Sequence, residues 1–106
     1  MPRYLFQASY SVEGTKGLLK DGGSKRRAVV EQMARGLGGK VEAFYFAFGD
    51  DDVVGIMEAP DNVTTAAVSL AVGASGAARV KTTVLLTPEE MDQATKKTVS
   101  YRPPGQ

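Results

Sequence analysis

The stretch FGDDDVVGIMEAPD at 48–61 sets the carboxylates of Asp50, Asp51 and Asp52 between two apolar runs. Hard divalent cations take several carboxylate oxygens, so cation binding at the Asp50–Asp52 turn is one chemistry open to it. Adjacent residues in a turn do not converge by themselves, however, and the run lacks the alternating ligands and glycine of a calcium loop. The expectation is a solvated hairpin turn with no metal. Asp52 stands apart from its neighbours. At the start of a strand, its carboxylate can accept backbone amides or pair with an arginine.

The tyrosines offer acid–base chemistry. Tyr45, with Glu58, Glu13 or Asp52, would make a polar cluster in an apolar pocket, where burial raises a carboxylate's pKa enough for it to serve as a general base. The chain has no histidine and no cysteine. That removes thiolate catalysis, disulfides, Cys-ligated zinc and iron–sulfur, and also the usual haem ligand and neutral-pH base. No cofactor is expected. Lys25-Arg26-Arg27 falls in the first turn of a helix, the unfavourable end for cations. It reads as a solvated face with one residue turned inward, or as an anion site. Arg79 and Lys81 share a face of a late strand and with Lys40 would form a weakly basic rim. A formal net charge of +1 gives no electrostatic case for nucleic acid. The glycines follow no phosphate-loop pattern. The candidate pocket residues are therefore Tyr10, Glu13, Arg27, Tyr45, Asp52 and Glu58.

These groups must be placed by a small scaffold. A chain of 106 residues, 42% hydrophobic, fits one domain with a modest core. The opening MPRYLFQASY lacks signal-peptide features, and no run approaches the roughly 18–20 apolar residues of a membrane span. The cytoplasm is the expected location, with no membrane partner.

Residues 3–10 read as a strand. Ser11 caps a short helical segment, and Asp21-Gly22-Gly23 interrupts it. Ser24 offers an N-cap for a helix over 25–37, with Ala28, Val29, Met33, Ala34 and Leu37 at helical spacing; Gly38-Gly39 ends it. In the strand 40–48, Val41, Ala43, Tyr45 and Ala47 take one face, and Glu42, Phe44, Phe46 and Phe48 the other. A turn leads to a return strand over 52–59, making a hairpin. Asp61 caps a helix over 62–74, whose stripe of Val63, Ala66, Ala67, Leu70, Ala71 and Ala74 suits close approach to a sheet. Residues 78–86 read as the last strand. Thr87, Pro88 and Glu90 open a C-terminal helix with a capping box. The domain is expected over 1–97, with 98–106 a flexible tail.

The order β-α-β-β-α-β plus a terminal helix is the ferredoxin-like pattern, an α+β fold. Two helices cover one face of a four-stranded sheet. The other face would expose apolar residues unless a second subunit covers it, which predicts a homodimer or higher homo-oligomer.

MPRYLFQASYSVEGTKGLLKDGG at 1–23, LGGKVEAFYFAFGDDDVVGIMEAPD at 37–61, SLAVGASG at 69–76 and TTVLLTPEEM at 82–91 together resemble the GYD-domain family over about residues 1–95. The resemblance implies a dimeric α+β barrel of ferredoxin-like subunits, and it implies no reaction. In the family's naming motif an aromatic stands between glycine and aspartate. Here Gly49 and Asp52 match, and Asp51 takes the aromatic's place. The functional expectation is a small homo-oligomeric ligand-binding or interaction module. The alternatives are a cofactor-independent oxygenase or isomerase and the divalent-cation site.

Overall fold

The computed structural model describes residues 1–106. The chain runs β1 (Arg3–Tyr10), α1 (Val12–Asp21), α2 (Gly23–Gly36), β2 (Lys40–Phe46), β3 (Val53–Glu58), α3 (Asn62–Ser75), β4 (Ala78–Leu85) and α4 (Pro88–Thr95). The four strands form one sheet in the order β2-β3-β1-β4, with β1 antiparallel to both β3 and β4. This is the α+β arrangement expected of a ferredoxin-like chain.

Local chemistry sets the boundaries. The Ser11 hydroxyl accepts from Gly14 N–H at 3.1 Å and opens α1. Asp61 accepts from Thr64 N–H at 2.8 Å and opens α3. Thr87 and Glu90 complete a reciprocal capping box on α4. Gly76 ends α3 in the left-handed conformation, where a side chain would be strained. The Ser24 cap is overturned: α2 starts at Gly23, after Gly22 at φ 83°. Gly22 also closes α1, because its N–H reaches Leu18 O at 2.8 Å, so one glycine serves both helices.

Hydrogen bonds from Thr64, its backbone N–H foremost, hold the Asp61 carboxyl below its ordinary pKa. A depressed carboxyl contributes stability above its unfolded pKa and loses it as pH falls through the folded value. Asp61→Ala should therefore lower the melting temperature at pH 7 and weaken the loss of stability below about pH 4. Thermal melts of both proteins between pH 7 and pH 3 check this; parallel curves would contradict it.

Two faces differ from the sequence expectation. A β-bulge lies between Val41 and Ala43. It puts Val41 opposite Met57, in the core, while Ala43 opposes Ile56 on the other face. Val41 thus shares the helix-covered face with Phe44 and Phe46, and Tyr45 keeps only Ala43 for company. In α3 the expected stripe points outward: Val63, Ala66, Ala67, Leu70, Ala71 and Ala74 are all exposed. Thr65, Val68, Ser69 and Val72 face the sheet instead. Thr65 tolerates burial because its hydroxyl donates to Asp61 O at 3.1 Å.

The core is small. Tyr4, Ala34, Met57 and Ala59 form its buried cluster, with Phe6 and Val41 packed against it. Leu5, Gln7, Val54, Ile56, Ala43 and Tyr45 point to the opposite side of the sheet, which no helix covers. Every residue of α4 is exposed. No helix is long and apolar enough to cross a membrane.

Candidate functional site

The helices sit over the edges of the sheet, α2 against β2 and α3 against β4. The central strands β1 and β3 are left beneath a gap between the two helices. A cavity of about 190 Å³ fills it, walled mainly by apolar side chains including Phe6, Met33, Phe44, Met57, Val68 and Val72. Gly55 shapes its floor. A Cβ there would lie 2.3 Å from the Phe6 ring and 2.5 Å from Ala43 O, so only glycine lets Phe6 cross β3. The Phe6 ring then meets Phe44 at 6.2 Å, and Phe44 meets Phe46 edge-on at 5.4 Å.

Five polar side chains reach the cavity wall: Tyr10, Arg26, Thr65, Ser69 and Thr82. Thr65 bonds to Asp61 O, and the Ser69 and Thr82 hydroxyls bond to each other at 3.1 Å. No Asp or Glu lines it. A carboxylate general base in this apolar space, the basis of the oxygenase or isomerase reading, is not part of the wall.

The six candidate residues do not form one site. Tyr10 lines the cavity and, with Glu13, an adjoining polar cleft. Asp52 sits at the end of the hairpin, where its carboxylate accepts from Tyr10 N–H at 2.8 Å and ties the end of β1 to the start of β3. Arg27 is turned outward, 56% exposed, beside Glu31. Arg26, the residue before it, is the one turned inward. Tyr45 is 68% exposed on the uncovered sheet face. Glu58 lies near the far end of that face, between Arg3 and Lys40 at 3.6 Å each. Arg3 also donates to Glu42 at 2.9 Å, a bond that raises its pKa. Lys40 therefore belongs to this ion cluster on one edge of the sheet, and Arg79 and Lys81 to the opposite edge.

Asp51 departs most from the sequence reading. It is no solvated turn residue: its side chain is only 15% exposed. It accepts from Gln7 Nε2 at 3.1 Å and Ser9 Oγ at 3.3 Å, and pairs with Lys81 at 3.3 Å. Asp51 thus binds three partners on the uncovered face, while Asp52 binds backbone. Asp50 is exposed. The three carboxylates diverge, and no group of three acidic residues is placed to hold a metal ion. The sequence signal for Asp51 was available in principle, because Gln7, Ser9 and Lys81 alternate onto one face once the register is known.

Compared with known proteins, the chain matches the family model for the GYD domain over residues 4–95. No curated protein matches it, and no solved structure does.

Proposed function

The chain belongs to the GYD-domain family, and from that premise we propose that it is a homo-oligomeric ligand-binding module. In this reading the uncovered sheet faces of two subunits pack together, and each subunit keeps its own apolar cavity beneath α2 and α3. A cytoplasmic location is part of the proposal and accords with a cysteine-free chain.

Exposed area carries the assembly claim. The chain exposes 7653 Å² at a mass of 11.2 kDa, where a folded monomer of that mass exposes about 5,700 Å². The excess, roughly 2,000 Å², is of the size a subunit buries in a large permanent interface. Its sources are identifiable. On the open sheet face Tyr45 is 68% exposed beside the partly exposed Leu5, Val54 and Ile56. Residues 96–106 are exposed throughout and add to the excess. Helix α4 has eight residues and buries none of them. A helix that short is marginal in water without a surface to pack on. The outward stripe of α3, with Val63 79% and Leu70 74% exposed, offers a further apolar contact for assemblies beyond a dimer.

The pairing of sheet faces is tested by filtered NOE spectroscopy on an equimolar mixture of ¹³C-labelled and unlabelled chains. Intermolecular NOEs should connect the methyls of Leu5, Val54 and Ile56 to the partner. Intermolecular NOEs confined to α3, or none at all, would contradict it.

A further inference from the structure

We propose that the cavity between α2 and α3 takes a small apolar carboxylic acid, with one ring or a short alkyl chain. Its carboxylate would sit on the Arg26 guanidinium and the Tyr10 hydroxyl. The proposal rests on the ligand-binding reading above and names the ligand class.

Size and lining set the apolar part. A dry apolar cavity of about 150 Å³ is enough to hold a benzene ring. This one is about 190 Å³, with twelve hydrophobic residues, Tyr10 counted among them, of the sixteen that line it. It suits one ring or a short chain.

Charge sets the other end. Arg26 is the one charged side chain in the wall. It is half-buried and has no ion-pair partner, in contrast to Arg27, which meets Glu31. The carboxylates that share a cleft with it are paired with other residues. Glu13 and Asp21 line the polar cleft that Arg26 also borders, but Glu13 pairs with Lys16 at 3.7 Å and Asp21 with Lys25 at 3.6 Å. The other hydroxyls of the wall already have partners within the chain. The Tyr10 hydroxyl does not, and Tyr10, like Arg26, borders both the cavity and the cleft. Two free donors therefore stand where an apolar space meets a polar one. A guanidinium presents a flat pair of N–H groups that matches a carboxylate. One guanidinium balances one negative charge. A phosphate dianion would carry a second charge toward Glu13 and Asp21, which favours the monoanion.

The test is an NMR titration at fixed ionic strength with benzoate and hexanoate, against benzyl alcohol and 1-hexanol as neutral matches. The wild-type chain is compared with Arg26→Gln, Arg26→Lys and Val68→Trp, the last filling the cavity. The acids should bind about tenfold tighter than their neutral matches, as expected for a charge-assisted pair. Arg26→Gln should erase that gap while the alcohols still bind, Arg26→Lys should restore part of it, and Val68→Trp should abolish binding of all four. Equal affinity of acids and alcohols, or a gap that survives in Arg26→Gln, overturns the carboxylate assignment and leaves the cavity as a neutral ligand site. No binding by any of the four overturns the ligand-binding reading with it.

Discussion

Tyr4→Ala should lower the unfolding free energy by about 3–5 kcal/mol, the range for removing a fully buried aromatic side chain. Tyr4 is 1% exposed and is the largest fully buried side chain in the chain. It fills the space between Ala34 of α2, Met57 of β3 and Ala59, which precedes α3. None of these small or unbranched neighbours can collapse far enough to replace a ring. Its hydroxyl donates to Asn62 Oδ1 at 2.6 Å and so ties the first strand to the first turn of α3. Tyr4→Phe isolates that bond and should cost about 1 kcal/mol. Asn62 is exposed, so water can take the freed acceptor, which puts the cost toward the low end. Urea unfolding at one fixed protein concentration measures both. A loss below about 1 kcal/mol for Tyr4→Ala would show that the core does not centre on this residue.

How much of this was legible in the sequence depended on whether a feature is local. Ser11, Asp61, Thr87 and Glu90 act on amides within three residues, so the helix starts they set could be read from spacing. The ferredoxin-like α+β class followed from the element order. Three features were not legible, each because a distant part of the chain decides it. The bulge between Val41 and Ala43 arises in the pairing with β3 and inverts the face of Val41, which strict alternation cannot show. In α3 every face is apolar or small, so periodicity could not choose between them. The helix turns Thr65 and Ser69 inward, where the Thr65 hydroxyl is satisfied by Asp61 O within the helix and the Ser69 hydroxyl meets Thr82, leaving Leu70 outside. In the Lys25-Arg26-Arg27 run one inward residue was expected, but a helical turn of about 100° separates adjacent positions, and only the packed structure selects Arg26 over Arg27. The candidate site was accordingly half visible. Tyr10 was named from sequence; the cavity it borders depends on Gly55, Phe6 and the gap between two helices, which only the fold assembles.

Ile56→Arg should convert the proposed homo-oligomer into single chains. Ile56 lies at the middle of the open face, opposite Leu5 on one side and Ala43 on the other. In the isolated subunit an arginine there can extend its charge into water. Under a partner sheet the charge would be buried without a counter-charge, because Glu42 and Glu58 are already engaged with Arg3 and Lys40. An unpaired buried charge costs about 3–5 kcal/mol, which weakens association by more than about a hundredfold. The same face holds the Asp51 cluster with Gln7, Ser9 and Lys81 at the hairpin end and the Arg3 cluster at the other. Both leave the apolar centre clear, so the substitution strikes the part of the surface where burial contributes most.

Sedimentation velocity at micromolar concentration tests the central claim most directly. The wild-type chain should sediment at twice the 11.2 kDa chain mass or more, and Ile56→Arg at 11.2 kDa. A wild-type chain that sediments at 11.2 kDa, or an Ile56→Arg variant whose mass equals that of wild type, would contradict it.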